Sequence, residues 1–311
     1  MQKEIRERRE DKMTGLVVKR SLNIDSMFRS NILINPSTDM QFKLPTTITN
    51  VIQMVVSQIE VPRTFYNVSR TLGNNTFVVN DGTPKPKIVS LPDGLYQITY
   101  NQDKGQGTKT AADIELAINN AMKTAGVSDT LAFTIDKVTH KGVFATRVDS
   151  QAASILKEVT IYFNVNEDGL IDLGSTATGG MRTKLGWMLG FRSGTYRIKH
   201  GIAVALASEA AAYIPNNRYM YLVVDDYCNE AYETFTSVFH ESLNTKNVIS
   251  RIDLGDTIDH TKWTTTPRAY KGPMNLRKMR VTLTDELGRV IDLNGVDWSV
   301  VLTLDCLVNP G

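Results

Sequence analysis

Residues 276–308 decide the fold. They run Leu276-Arg277-Lys278-Met279-Arg280-Val281-Thr282-Leu283-Thr284, then Asp285-Glu286-Leu287-Gly288, then Val290-Ile291-Asp292-Leu293-Asn294-Gly295. Trp298, Val300, Leu302, Leu304, Cys306 and Val308 then occupy every second position of a final strand. Met279, Val281 and Leu283 alternate in the same way with Lys278, Arg280 and Thr282. Period-two apolar spacing bounded by Gly and Asn turns is the sequence form of antiparallel β-structure. Full burial of a side chain such as Leu302 contributes about 1.5–3 kcal/mol before chain entropy is charged. This tail builds the wall of a core and carries no recognisable chemistry.

Working outward, the same pattern recurs. Phe42, Leu44 and residues 51–61 predict a strong strand in which Val55, Ser57, Ile59 and Val61 share a face, and Pro62 ends it by removing a donor. The β-pattern begins at Asn31 and Ile34. Residues 76–79, 88–91, 131–135, 159–165, 202–206, 219–224 and 248–252 are further strands. A helix is predicted over 111–123, with Thr110 as N-cap, Asp113 in the first turn, and an apolar stripe of Ile114, Ile118, Ala121 and Met122. A weaker helical signal covers 229–243.

The sum is mainly β: a jelly-roll-like antiparallel β-sandwich with an inserted α+β portion carrying one firm helix, plus an N-terminal arm. The expected division is residues 1–40 as charged arm and lead-in strand, 41–71 with 192–311 as the sandwich, and 72–191 as the insertion. The first twenty residues are dense in charge and poor in apolar side chains, with pairs such as Glu4 and Arg8 at helical i,i+4 spacing, which reads as an arm that orders on a partner.

Composition is that of a folded globular chain, with 41% hydrophobic and 22% charged residues. A formal net charge of +2 argues against a general nucleic-acid binder. Two cysteines, Cys228 and Cys306, cannot form a disulfide framework. No apolar run is long enough for a membrane helix, so the sequons at Asn67 and Asn74 read as chance.

Known chemical motifs fail one by one. His140, His200, His240 and His260 are scattered, and Asn244 stands where a zinc-protease helix needs its second His. Asn164 to Gly169 resembles a calcium loop but places Ser175 at the closing Glu position, and 292–297 reads first as a hairpin turn. No metal or cofactor is expected. Asp225-Asp226, near Glu230 and Glu233, is the best acidic cluster for acid–base work. Arg192, Tyr196, Arg197 and Lys199, and Arg268, Tyr270 and Lys271, combine cations with aromatics, suited to an acidic protein surface.

Four segments together resemble capsid-associated proteins of nucleocytoplasmic large DNA viruses, of the chlorovirus and mimivirus kind. They are 50–66; Leu72-Gly73-Asn74-Asn75-Thr76-Phe77; Leu91-Pro92-Asp93-Gly94 with the helix and Leu185-Gly186-Trp187-Met188-Leu189-Gly190-Phe191; and 270–298. The resemblance implies a minor capsid or penton-type β-sandwich protein of an icosahedral virion, assembled in the host cytoplasm, with no active site to carry over. Its implied partners are the major capsid protein and other minor capsid proteins, with self-association as a further contact. The candidate partner-contact residues are Lys3, Arg6, Arg8, Arg9, Lys12, Lys19, Arg20, Arg192, Arg197 and Tyr270. Three readings stay open: a cement or scaffold subunit; a penton, vertex or fibre-head protein binding a receptor or glycan through Tyr66, Tyr96, Trp263 and Tyr270; and a hydrolase using Asp225 and Asp226.

Overall fold

The structure, a computed structural model, describes residues 16–32, 34–98, 112–146, 158–166, 168–170, 180–199, 205–214, 219–228, 231–232, 235, 247–254 and 261–308. The chain opens with β1 (Leu16–Asp25) and the long β2 (Asp39–Glu60). There follow β3 (Thr76–Asn80), β4 (Lys87–Ser90), β5 (Tyr96–Gln97), β6 (Ala112–Asp113), helix α1 (Ile114–Thr124), β7 (Leu131–Ile135), β8 (Lys141–Thr146) and β9 (Glu158–Tyr162). A short helix α2 (Leu185–Met188) precedes β10 (Thr195–Lys199) and β11 (Ala205–Ala211). The chain closes with β12 (Tyr219–Asp225), β13 (Val248–Leu254), β14 (Thr261–Thr265), β15 (Arg268–Thr284) and β16 (Ser299–Val308). Packing divides it into one unit of residues 1–65 with 217–311 and a second of residues 66–216.

The first unit is a seven-stranded antiparallel sheet in the order β1-β16-β2-β15-β12-β13-β14. It curls until β13 and β14 come back against β2, which gives a jelly-roll-like half-barrel around one core. The alternation in the closing strands is the cause. Met279, Val281, Leu283, Val300, Leu302, Leu304 and Cys306 all point into that core and are buried. Val308, at the strand end, is exposed instead. The bends lie where pairing cannot be regular. Pro45 and Pro273 fall in stretches of β2 and β15 where the register shifts, and Asn50 adopts a left-handed φ of 57° in β2. A proline lacks the donor a ladder needs, and each bulge lets a long strand turn.

One bulge corrects the reading of β2. The register with β16 shifts between Gln58 and Val56, so Ser57 is the extra residue. Val56 and Ile59 are therefore inward, and Ser57 is outside with its hydroxyl bonded to that of Thr303. Strict alternation from Val55 to Val61 does not survive an inserted residue.

The N-terminal side also differs from expectation. Lys19 and Arg20 belong to a strand, not an arm, because Leu16–Asp25 pairs residue for residue with β16. Residues 1–15 lie outside the described residues. Asn31 and Ile34 belong to a turn, not a lead-in strand: Asn31 takes a φ of 55° and its carbonyl accepts from the backbone N–H groups of Ile34 and Asn35.

The second unit, which runs wider at both ends than 72–191, contains a four-stranded sheet β10-β9-β3-β4, a three-stranded sheet β11-β8-β7 and a parallel pair β5-β6. β10 and β11 pair with β9 and β8, which places 195–211 here. Its core is aromatic: Phe77, Phe133, Phe144, Phe163 and Phe191 are fully buried, with Phe163 and Phe191 stacked at 5.0 Å between centroids. Helix α1 starts later than the sequence suggests. Asp113 is its N-cap, accepting from the backbone N–H of Leu116, while Thr110 lies outside the described residues. It ends at Gly126, whose φ of 70° lets Gly126 and Val127 donate to Lys123 and Met122 and close the last turn. The helix expected over 229–243 lies almost wholly outside the described residues, but Ala231 bridges Tyr270 in antiparallel fashion.

Candidate partner-contact surface

The acidic pair at the end of β12 was the best prospect for chemistry, and its geometry is that of a lock. Asp226 is buried. Its Oδ2 accepts from Arg268 Nη1 at 3.1 Å and from the Tyr270 hydroxyl at 2.6 Å, and its Oδ1 from the Cys228 backbone N–H at 2.9 Å. Arg268, equally buried, also donates to the Val224 carbonyl at 2.7 Å and to Asn247 Oδ1 at 3.1 Å. Burial, with the Asp226 carboxylate beside it, pushes the Tyr270 phenol far above its ordinary range. Both oxygens of Asp226 are thus engaged by the sheet itself. Asp225 faces the other way and accepts from the Tyr227 backbone N–H. Glu230 and Glu233 lie outside the described residues.

This lock removes Tyr270 from the partner-contact residues, because its ring is buried against the core. Tyr96 is also buried, bonded through its hydroxyl to the Pro92 carbonyl, so a sugar-stacking row of Tyr66, Tyr96, Trp263 and Tyr270 loses two members. Tyr66 is exposed. Arg192 lies over the Trp187 ring at 3.9 Å and donates to the Trp187 carbonyl at 2.9 Å. Tyr196 donates to Glu209; burial pushes that carboxyl up, but the Tyr196 hydroxyl, backbone N–H groups and the Arg192 charge together hold it below its ordinary value. Arg197 is exposed and lies 3.5 Å from Glu158. Arg192 and Arg197 thus both remain at the surface with local partners.

The remaining motifs resolve into turns. Asn166 Oδ1 accepts from the backbone N–H groups of Asp168 and Leu170, so the calcium-like loop is an Asx turn. Asn294 and Gly295, with φ of 54° and 76°, make the tight turn that Asn-Gly favours. His140 closes the β7–β8 turn with a φ of 58°; His200, His240 and His260 lie outside the described residues. Among the described residues no group of three His, Cys, Asp or Glu is placed to hold a metal ion, and no helix is long and apolar enough to cross a membrane.

Two of the four segments that carry the resemblance, 72–77 and the one that joins 91–94 to 185–191, lie in the second unit, where asparagine amides close the loops around them. Asn67 imitates a strand: its amide donates to the Tyr96 carbonyl and accepts from the Tyr96 N–H, both at 2.8 Å. Asn74 donates to the Asn67 carbonyl and accepts from the Ser69 N–H, and Asn75 donates to the Leu91 carbonyl. Asp93 accepts from the Arg70 N–H, and Val68 and Gly94 exchange backbone bonds. Both sequon asparagines are buried with their amides engaged, which leaves neither available to a glycan. Glycine is required at two places in the 185–191 segment. A Cβ on Gly186 would lie 2.4 Å from the Phe163 ring, and one on Gly190 would lie 2.1 Å from the Ala210 carbonyl oxygen at a φ of +94°.

Sequence reasoning misses the most unusual surface. Between β1 and β2, Arg29 is nearly buried. It donates to the carbonyls of Ser26 and Asn35, at 2.7 and 3.0 Å, and to Asp297. Asn35 in turn donates to the Ser30 carbonyl. The polar groups of this loop face inward, and its apolar ones face out: Met27, Phe28, Ile32 and Ile34 are exposed by 52, 77, 56 and 80%. Leu16, Val17 and Val18 are exposed at the far end of β1. Ile32 and Ile34 have the spacing of a strand, but Asn31, Asn35 and Pro36 around them are turn formers, and that was the signal there to be read.

No protein-family model matches the chain, and no curated protein does. Among solved structures, the mavirus penton protein is 12% identical over 94% of this chain and 100% of its own, with a TM-score of 0.37. A chain of the Sputnik virophage structure is 11% identical over 93% of this chain and 98% of its own, with a TM-score of 0.38. Scores this low transfer neither a role nor an assembly geometry.

Proposed function

We propose that this chain is a structural subunit of an icosahedral viral shell, which binds neighbouring subunits through its sheet edge and loops. The observation that supports this most is where the resembling segments lie. In those of the second unit, Asn74, Asn75, Asp93, Gly186 and Gly190 close turns and permit close packing, as suits a protein whose product is shape. The one acidic pair suited to hydrolysis is half consumed by a buried ion pair. Residues 1–15, rich in Lys, Arg and Glu, extend the contact as an arm that orders on a neighbour.

Both a penton at the fivefold vertices and a cement subunit beneath the lattice fulfil this role, and copy number separates them. Isotope-dilution mass spectrometry of gradient-purified particles measures it. A fixed ratio to the main shell subunit is expected, set by the number of vertices for a penton and by the number of facets for a cement protein. Absence from intact particles would overturn the reading. Deleting residues 1–15 is expected to lower incorporation several-fold with an unchanged melting temperature.

A further inference from the structure

The strand β1 has an open side. It ends the sheet order, and its ten residues pair with β16 on one side without a register shift. No strand among the described residues meets its other side. That leaves a row of backbone donors and acceptors about 33 Å long. Edge strands of this length are ordinarily shortened, bulged or interrupted by proline, because they template pairing with another chain. β1 has none of these, and of the remaining devices it carries charge alone, in Lys19 and Arg20, which bars a basic strand and admits an acidic one.

Apolar side chains flank the open side at both ends. Leu16, Val17 and Val18 are exposed at one end, and Met27 and Phe28 at the other, continued by Ile32 and Ile34. The Arg29 network fixes the loop that presents these last four before anything binds, which lowers the ordering cost of docking. Near the middle of the edge, Lys19 stands opposite Asp305, but Arg20 stands opposite the buried Leu304 and has no ion-pair partner among the described residues.

We propose that the open edge of β1, together with the apolar loop that follows it, takes up an extended segment of another polypeptide as an added strand, apolar at its ends and acidic at its centre. Backbone pairing supplies the register and Arg20 selects the charge. A second copy of β1 is a poorer occupant. Antiparallel self-pairing centred on Arg20 would set the two copies' Arg20 opposite each other, where like charges repel, and pairing centred on Ser21 would set Arg20 against Leu22, so neither register offers it an acid. The inference rests on the shell reading only for where such a segment comes from.

Fluorescent ten-residue peptides with blocked ends test it on the full chain. One alternates valine and threonine around a central Glu-Asp, one carries Lys-Lys at the centre, and one is the acidic peptide N-methylated at alternate residues. The acidic peptide is expected to bind on the order of tenfold more tightly than the lysine peptide, and to slow amide exchange across residues 16–25. N-methylation should abolish binding, Arg20→Glu should reverse the charge preference, and Phe28→Ser with Ile34→Ser should weaken binding several-fold. Since these side chains are exposed, melting curves should match the parent. No binding at millimolar peptide, or binding indifferent to N-methylation or to Arg20→Glu, overturns the proposal. So does concentration-dependent protection of the same amides without peptide, which would mark a second copy as the occupant. Peptide binding by a protein missing from particles would sink the shell reading and leave strand addition standing.

Discussion

The two units solve the problem of a stable core by opposite means. The first uses long strands whose aliphatic side chains alternate, so that Met279, Val281, Leu283, Val300, Leu302 and Leu304 line one curled sheet. The second uses short strands around a cluster of phenylalanines, and closes its loops with asparagine amides and glycines that admit close backbone approach. Burial distributed along a ladder tolerates a bend at Asn50 or an extra residue at Ser57. Packing around Gly186 and Gly190 tolerates almost nothing, because a single Cβ there meets a ring or a carbonyl.

The comparison breaks most readily at Leu302, which is fully buried between partners on β1 and β2. Leu302→Asp buries an unpaired charge, at a cost of several kcal/mol. Soluble expression with a cooperative melt would contradict the ladder-based core; insoluble protein is expected.

Next in size is the exception within the first unit, its buried ion pair. Asp226→Asn leaves Arg268 charged and poorly paired, a loss of about 3–5 kcal/mol. Asp226→Leu combined with Arg268→Met should recover much of it, since removing both charges removes both desolvation penalties. Urea unfolding of the single and double variants measures the coupling. Equal instability of the two would mean that the sheet needs the charges themselves.

Gly190→Ala sharpens the contrast from the other side. Strain at a φ of +94° and the contact with the Ala210 carbonyl should together cost about 3 kcal/mol or more. A loss confined to near-ultraviolet signals from the phenylalanine-rich unit would place the damage there. An unchanged melt would refute the requirement for glycine.

The smallest effect concerns Asp39, whose carboxyl is held below its ordinary value by its bond to Arg280, against the pull of burial. A depressed folded value means that the stabilisation is complete above the unfolded value, about 3.9, and is lost as pH falls through the lower folded one. The pair is half exposed, so the gain is under about 1 kcal/mol. Asp39→Asn should therefore lose up to that amount at pH 7 and nothing at low pH, where the parent's carboxyl is protonated, so that urea unfolding measured against pH shows a flattened acid limb.

Local alternation made β7, β9, β15 and β16 legible, because each residue's own spacing records which side faces the core. The Asn-Gly turn and the apolar stripe of α1 were legible for the same reason. The candidate contact surface was mostly not. Arg192 and Arg197 were found by composition and lie at the surface, but Tyr270 has the same composition and is buried, because Asp226, forty-four positions earlier at the end of the paired strand β12, accepts from its hydroxyl. Phe28 went unread and Ile34 was read as strand, because nothing local says that Arg29 will turn inward.

By itself, then, the sequence determined the strands whose side chains alternate and the tight turns between them, and it writes no catalytic or metal motif along the chain. Only the tertiary structure decided that residues 16–25 leave the charged terminus to pair with the last strand, that β2 carries an extra residue at Ser57, and which charges are buried. The physical reason is reach. A side-chain period is a property of neighbours in sequence, whereas partners, registers and the burial of a charge depend on residues more than two hundred positions away, as between Leu16 and Val308.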